Sequence, residues 1–233
     1  MTRPQVVLED LGMISYREAW DYQMAVHREL IDRKRAARED VTYRPLHRLL
    51  LCEHPPVYTL GKSGKLEHLL LSESELRAQG MTFHMINRGG DITYHGPGQL
   101  VVYPILDLED YYRDVHRYVR ELEEVVIRVA ADYDVAASRI DGFTGVWVDG
   151  PVRLKICAIG VHLSRWVSLH GLALNVAPDL NHFDNIIPCG IQEDDKAISS
   201  LSALSTRHVD MIDVKSKVAH HFADVFQCDV ILE

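Results

Sequence analysis

Helical periodicity recurs in three stretches of the chain. The first stretch carries apolar residues at Ala19, Tyr22, Val26 and Leu30. Intervals of three and four residues are typical of one buried helix face, and Ser15 and Glu18 have the spacing of a capping box. The pattern therefore predicts a helix from there to about residue 38, and similar spacing predicts helices over about 114–133 and 211–227.

Shorter apolar runs without that spacing predict β-strands. Such runs lie at residues 6–8, 47–52, 57–60, 81–86, 100–105, 145–148, 154–163 and 166–176. The Asp-Gly-Pro sequence at 149–151 favours a hairpin between two of them. A second capping box at Ser72 and Glu75 predicts a short helix that ends at Gly80.

The order of these elements predicts the fold class. Helices and strands are mixed rather than strictly alternating, which argues against a Rossmann fold. The sequence contains no internal repeat, low-complexity tract or linker-like stretch. We therefore expect an α/β (α+β) protein in which residues 1–233 form one domain.

Composition narrows the classes of function. The chain is 47% hydrophobic and 25% charged, which is ordinary for a soluble globular protein. It has no apolar run long enough to span a membrane, and its first residues lack the features of a signal peptide. The net charge of -9 argues against nucleic acid as a partner. We expect a cytoplasmic protein that binds neither nucleic acid nor membrane.

Two basic clusters stand out against the acidic net charge. One consists of Arg33, Lys34, Arg35 and Arg38, and the other of Arg113, Arg117 and Arg120. Each is placed on a predicted helix, where it forms either an ordinary solvated surface or a docking site for an acidic protein.

A glycine-rich stretch lies between two predicted strands. Residues 88–99 read RGGDITYHGPGQ, with four glycines and one proline. Glycine allows close approach of a ligand to the backbone, so the stretch is either an elaborate hairpin turn or the wall of a binding site. The Gly61-Lys62-Ser63 sequence nearby is not a phosphate-binding P-loop, because Pro56 occupies the position of its first glycine.

Cys189 and Lys155 are the candidate catalytic residues. The four cysteines are far apart in sequence, which argues against a zinc site and a disulfide framework. Cys52 and Cys157 lie in apolar runs and fit buried structural residues. Cys189 lies between a proline and a glycine in a segment without clear periodicity, so it is either a small buried residue or a positioned reactive side chain. Lys155 has apolar neighbours, so it is either paired or used in a reaction, or its amine reaches water at a strand edge.

The sequence RGGDITYHGPGQLVVYPILDL at 88–108 resembles the signature of the lipoyl(octanoyl) transferases, the lipoate–protein ligase B family. The resemblance continues in KICAIG at 155–160, HGLALN at 170–175 and IPCG at 187–190. It implies the catalytic fold shared by biotin and lipoate protein ligases, in which helices flank a central mixed β-sheet.

The resemblance also implies an activity: transfer of an octanoyl group from octanoyl-acyl carrier protein, through a thioester on Cys189, to a lysine of a lipoyl domain. This is the first step of endogenous protein lipoylation, and its acceptors are 2-oxoacid dehydrogenase complexes and the glycine cleavage H protein. Lys155 would pair with Cys189 as a dyad, in a monomer without metal or cofactor. Small residues would line a slot for the alkyl chain and pantetheine arm, formed by Arg88, Gly89, Gly90, Asp91, Ile92, Thr93, Tyr94, His95, Ala158, Ile159, Gly160, Gly171, Leu172 and Ala173.

Several alternatives stay open. An ATP-dependent lipoate or biotin ligase would have the same fold, but the glycine-rich loops here lack the form that those ligases use. A non-catalytic acyl- or lipoyl-binding protein would keep the slot and lose the cysteine or the lysine, and both are present. His95 and His170 either orient the acyl oxygen or serve only as structural residues.

Overall fold

Two β-sheets form the framework of the computed structural model, which describes residues 3–37, 46–187 and 195–232. Cys189 and Arg38 lie outside the described residues. The strands are β1 (Gln5–Met13), β2 (His47–Glu53), β3 (Val57–Leu60), β4 (Thr82–Met85), β5 (Ile92–His95), β6 (Gln99–Ile105), β7 (Ala137–Ile140), β8 (Phe143–Val148), β9 (Arg153–Ser164), β10 (Val167–Asn175), β11 (Lys196–Ile198) and β12 (Asp229–Leu232). The helices are α1 (Tyr16–Ala36), α2 (Glu73–Ala78), α3 (Val115–Ala131), α4 (Leu201–Leu204) and α5 (Met211–Phe226).

The larger sheet is mixed, as the resemblance implies. Its described strands follow the order β12-β1-β2-β6-β10-β9-β8-β7, with β11 paired to β9. The pairs that β1 makes with β12 and β2 are parallel, as is the β9–β11 pair, and the others are antiparallel. The smaller sheet has the order β4-β3-β5. The expected fold class, a central mixed sheet flanked by helices, is therefore confirmed.

Helices cover both faces of the larger sheet and bury its apolar side chains. On one face, α3 and α5 pack on a core that includes Ile156, Cys157, Leu172 and Leu174. On the other face, α1 packs on a core that includes Val101, Tyr103 and Ala173. Neighbouring residues of β10 thus serve different cores, because side chains alternate along a strand.

Both predicted capping residues, Ser15 and Ser72, cap their helices, but only one of the two predicted capping boxes is complete. At α2, Ser72 and Glu75 form the complete capping box. At α1, the Ser15 side chain accepts from the backbone N–H of Glu18, but the Glu18 carboxylate accepts from the Ser15 hydroxyl at 2.6 Å rather than from its backbone. The second capping box is therefore complete and the first is half formed.

The glycine-rich stretch differs from the prediction in its structure. It is not a single loop between paired strands, because β5 lies inside it and pairs with β3. The runs on either side of it, β4 and β6, belong to different sheets. The stretch thus carries the chain from one sheet to the other.

None of the helices in the described part of the chain combines the length and the apolar character needed to cross a membrane.

Candidate active site

A cavity of about 350 Å³ lies where the glycine-rich stretch faces strands β9 and β10. Most of the residues that the sequence singled out as site residues line it. These are Lys155, Arg88, Gly89, Gly90, Asp91, Ile92, Thr93, His95, Ala158, Ile159, Gly160, Gly171, Leu172 and Ala173. The volume falls in the range that small-molecule sites occupy, about 300–1,000 Å³.

Two of the predicted site residues are not in that group. Cys189 lies outside the described residues. Tyr94 is described and buried, but it packs behind the glycine-rich stretch with Tyr58 and Phe183 rather than along the cavity. Its hydroxyl occupies the place where a side chain at Gly96 would lie. Tyr94 is therefore not among the described residues that line the cavity, although Ile92, two residues earlier on β5, is.

Side chains of the glycine-rich stretch hold it in place. The Arg88 guanidinium donates to Thr59 O at 2.7 Å and to Thr59 Oγ1 at 3.1 Å. Asp91 accepts from His68 Nδ1 at 2.5 Å through one oxygen and from the Ile92 amide at 2.7 Å through the other. The wall is therefore a fixed surface rather than a flexible turn.

Small residues on the opposite wall serve packing within the protein. A Cβ at Gly171 would lie 2.1 Å from Val102 O and 2.7 Å from Pro104 Cδ. A Cβ at Gly160 would lie 2.8 Å from Gly89 O. These glycines allow the close approach of other backbone segments, so their small size is not itself a sign of space for a ligand.

Lys155 projects from β9 toward the cavity. Its ammonium lies 5.0 Å from the centre of the Trp147 ring, within cation–π range. Its stem passes Gly145, where an added Cβ would come within 2.8 Å of Lys155 Cε. The lysine is therefore held by its surroundings at the cavity wall rather than extended into open solvent at a strand edge.

The described residues on both sides of the Cys189 segment are tied to the cavity walls. Before the segment, the Ile187 amide donates to His68 O at 2.8 Å, and His68 bonds Asp91. After it, Ile198 of β11 pairs with Lys155. The Ser199 amide donates to Lys155 O at 2.9 Å.

Buried histidines at the cavity are held neutral. Burial lowers the pKa of both His95 and His170 to about 3. His170 Nε2 donates to Asn87 Oδ1 at 2.7 Å, and Nδ1 has no hydrogen-bond partner among the described residues. His170 also has a φ of +61°, which is unusual for a residue other than glycine. Near neutral pH these side chains can accept or donate hydrogen bonds but carry no charge.

The sequence did not single out several polar residues that line the cavity. They are Tyr16, Gln99, Tyr103 and Asn175. Gln99 Nε2 donates to Asn175 Oδ1 at 2.9 Å, and Asn175 Nδ2 donates to Ser199 O at 2.9 Å. Gln99 and Asn175 offered only a polar side chain at the end of an apolar strand run, which occurs in many proteins without a site. Tyr16 at the start of α1 and Tyr103 inside β6 offered no local signal.

The three cysteines in the described ranges are free and buried: Cys52, Cys157 and Cys228. Burial raises the pKa of each thiol, so the reactive thiolate is disfavoured. Cys52 thus fits a structural residue, Cys157 is equally buried although it borders the cavity, and Cys189 remains the candidate nucleophile.

Both basic clusters are engaged in ion pairs in their described parts. Lys34 is mostly buried and bonds Asp107 at 2.6 Å, so it anchors the end of α1. Arg33 pairs with Glu29, and Arg113, Arg117 and Arg120 each pair with a glutamate. The ordinary helix-surface interpretation is favoured over a docking site for these residues.

Comparison of the sequence with known proteins identifies one family and several close relatives. Residues 15–223 match the family model described as the lipoyl protein ligase A/B catalytic domain. The octanoyltransferase of Cytophaga hutchinsonii is 51% identical, over 98% of this chain and 96% of that protein. The octanoyltransferase of Solibacter usitatus is 46% identical, over 96% of this chain and 94% of that protein.

Solved structures agree at the level of the fold. A lipoate-protein ligase A bound with ATP superposes with a TM-score of 0.70 at 14% identity, over 100% of this chain and 89% of that one. A bi-partite lipoate protein ligase from Thermoplasma acidophilum gives the same TM-score and identity, over 100% of this chain and 87% of that one.

Proposed function

The chain belongs to the lipoyl protein ligase A/B catalytic domain family, and from that premise we propose that it is an octanoyltransferase. It takes the octanoyl group from octanoyl-acyl carrier protein and delivers it to a lysine of a lipoyl domain, in 2-oxoacid dehydrogenase complexes and the glycine cleavage H protein. Support comes from relatives named octanoyltransferase that match almost the whole chain.

The observation that carries the proposal is the convergence of two segments at Lys155. The lysine lines the cavity from β9, and β11, the first described strand after Cys189, pairs with β9 at Lys155. The segment that contains Cys189 thus joins a strand in direct register with the candidate lysine. This register makes Lys155 the candidate partner of the Cys189 thiol.

In the first half-reaction, the Cys189 thiolate attacks the carbonyl carbon of the octanoyl thioester. The bond between that carbon and the pantetheine sulfur breaks, and the pantetheine thiolate leaves and takes up a proton. The octanoyl group is then held as a thioester on Cys189. Since a thioester keeps its acyl reactivity, no nucleotide is consumed.

In the second half-reaction, the amine of the target lysine attacks the acyl-enzyme. The new C–N bond gives an amide, the C–S bond to Cys189 breaks, and the amine loses a proton as the thiolate is regenerated. Lys155 promotes the thiolate by its positive charge and accepts and returns the proton.

The cavity walls fit the two parts of the donor. Ile92, Ile159 and Leu172 offer apolar surface for the alkyl chain, while the neutral His170 and the Gln99–Asn175 pair offer hydrogen bonds to the polar pantetheine arm. We place the reaction in the cytoplasm and in a monomer. The free cysteines of the described ranges suit a reducing compartment.

Intact-mass measurement after mixing with octanoyl-acyl carrier protein tests the proposal. Wild type should gain one octanoyl group in place of a proton, and peptide mapping should place it on Cys189. Cys189→Ala should lose both the adduct and transfer to a lipoyl domain. Cys52→Ala, which removes a buried thiol away from the cavity, is the matched control and should keep both.

Two outcomes would contradict the proposal. An adduct on a residue other than Cys189 would exclude the thioester mechanism. Modification of a lipoyl domain with free octanoate or lipoate that depends on ATP, in the absence of a carrier thioester, would instead identify a ligase.

A further inference from the structure

The strand pair β8–β9 contains a β-bulge next to Lys155. Val146 pairs with Cys157 and Trp147 pairs with Lys155, so Ile156 is an extra residue on β9. A bulge changes the alternation of side chains between the two faces of a sheet, and bulges next to active sites often redirect a side chain.

The bulge decides which face of the sheet Lys155 occupies. Ile156 and Cys157 are consecutive, yet both belong to the apolar core beneath α3 and α5. In a regular strand, Lys155 would share the face of Cys157, because residues two apart point the same way. With the extra residue, Lys155 lies on the face of Trp147, opposite to Ile156 and Cys157. Its side chain lines the cavity, which Cys157 also borders.

Gly145 completes this arrangement from the neighbouring strand. Its φ of +124° is a conformation that other residues rarely adopt. A Cβ there would lie 2.8 Å from Lys155 Cε and 2.5 Å from Cys157 O. The bare Cα therefore leaves a path for the lysine stem, provided that the backbone at Gly145 keeps its present position.

A buried acid on α3 holds that backbone. Glu123 is fully buried, and its Oε1 accepts from the Gly145 amide at 3.0 Å. Its Oε2 accepts from Arg120 at 2.8 Å and from Arg139 at 3.1 Å. A buried carboxylate is costly unless it is paired and hydrogen-bonded. The two arginines supply the pairing, which leaves the other oxygen for Gly145.

We propose that Glu123 is a positioning residue for Lys155. By holding the Gly145 amide, it keeps β8 in the shape that the bulge requires and so turns the Lys155 ammonium into the cavity. This inference rests on the proposed part of Lys155 in octanoyl transfer. Glu123 is not among the described residues that line the cavity, so it acts through Gly145 and Lys155.

Glu123→Gln tests the proposal, because it keeps the size of the side chain and cannot satisfy both the Gly145 amide and the arginines. Three quantities are measured on the folded variant: kcat and KM for octanoyl-acyl carrier protein, the pH dependence of Cys189 alkylation, and the titration of the Lys155 amine by NMR with 13Cε-labelled lysine. We expect kcat to fall about tenfold, which corresponds to a change of one pKa unit in the thiol, with KM nearly unchanged. The alkylation profile should move to higher pH, and the Lys155 titration should shift.

Glu124→Gln is the matched control. Glu124 is the next residue of α3 and pairs with Arg128 and Arg139, but its side chain is about one-third exposed, whereas that of Glu123 is fully buried. It should leave all three measurements at wild-type values. Gly145→Ala perturbs the same contact from the strand side and should reproduce the Glu123→Gln pattern. If Glu123→Gln does not fold, Glu123→Asp keeps the charge and shortens the reach to Gly145.

A folded Glu123→Gln protein with wild-type kcat, alkylation profile and Lys155 titration would overturn the proposal. The proposal would also be overturned if Glu123→Gln loses thermal stability but keeps the wild-type pH dependence of Cys189 alkylation and the wild-type Lys155 titration. That result would mean that Glu123 only stabilises the fold. The Lys155 titration does not depend on acyl transfer. It therefore tests the positioning even if Cys189→Ala retains transfer and the proposed function is wrong.

Discussion

The two walls of the cavity contain glycines for different structural reasons. On the wall formed by β9 and β10, a side chain at Gly171 would collide with the backbone of β6, and one at Gly160 with the backbone at Gly89. On the glycine-rich wall, a Cβ at Gly89 would touch Val161 O at an ordinary 3.4 Å, and one at Gly90 would lie 3.3 Å from the end of the Arg88 side chain, with no closer contact among the described residues. The first pair serves the fold, whereas the second pair leaves space at the cavity.

Backbone conformation adds to this contrast. Gly90 has a φ of +85°, while Gly160 and Gly171 lie in regular paired strands. A substitution at Gly90 therefore meets backbone strain as well as the ligand, and a substitution at Gly171 meets the neighbouring strand. A high glycine content therefore does not identify a ligand-binding wall by itself. The atoms that an added Cβ would meet show whether a glycine serves packing within the protein or leaves space for a ligand.

The largest effect is expected for Gly171→Ala. The new Cβ would force β10 away from β6 at the centre of the larger sheet, and overpacking of this kind costs about 1–3 kcal/mol or more. For a chain of this size each kcal/mol lowers Tm by about 2–4 °C, so the loss should reach several degrees. Gly89→Ala, whose Cβ meets ordinary van der Waals contact, is the control in the same thermal melt. Equal melting temperatures for the two variants would remove the distinction between the walls.

A smaller loss of stability and a selective loss of activity are expected at Gly90. Gly90→Val should block the cavity, and the positive φ adds about 1–3 kcal/mol of backbone strain. Gly90→Asn separates the two effects, because asparagine tolerates the left-handed conformation. We expect Gly90→Asn to melt within a few degrees of wild type and to raise KM for octanoyl-acyl carrier protein several-fold in steady-state kinetics.

Gly80→Asn is the matched control for that experiment. Gly80 also has a positive φ, +68°, and its Cβ would meet no atom of the described residues within 4 Å. It follows α2 and does not line the cavity. If Gly90→Asn keeps the wild-type KM for octanoyl-acyl carrier protein, the glycine-rich stretch at Gly90 is only a turn and does not contact the substrate.

The sequence predicted those parts of the fold whose signal is local. Helical spacing located α1, α3 and α5, and apolar runs located β2, β6 and β10 to within a few residues. The strands β11 and β12 were missed because each is short and pairs with a strand far away in the sequence. β5 was missed because turn residues surround it on both sides.

Site residues that belong to a sequence motif could be predicted, whereas site residues that reach the cavity through tertiary packing could not. The resemblance indicated many of the residues that line the cavity, but Tyr94 packs against Tyr58 and Phe183 instead, which only the tertiary structure shows. Regular alternation along β9 would place Lys155 on the same face as Cys157, and the bulge at Ile156 reverses this, which no sequence pattern indicates. Tyr16 comes to the cavity from a distant helix start, which no local pattern indicates.

The two walls also differ in how they hold their buried histidines, and this gives the smallest predicted effect. His95 on the glycine-rich wall has both ring nitrogens bonded, to Gln99 at 2.7 Å and to Thr59 at 3.3 Å. His170 on β10 bonds only through Nε2 within the described residues. Replacing His170 by asparagine, which suits its positive φ, should therefore cost less stability near pH 7.5 than replacing His95.

The stability of the protein should fall at acid pH because the buried His170 ring resists protonation in the folded state. Its pKa is lowered to about 3 by burial, against about 6.5 in an unfolded chain. Between these values the unfolded state binds one more proton than the folded state, so stability is lost as the pH falls below about 6.5. Wild type should lose up to about 1.4 kcal/mol more per pH unit than His170→Asn in urea denaturation between about pH 6 and 4. The difference should become constant above about pH 7.5, where the ring is neutral in both states, and parallel curves at acid pH would show that His170 is protonated in the folded protein.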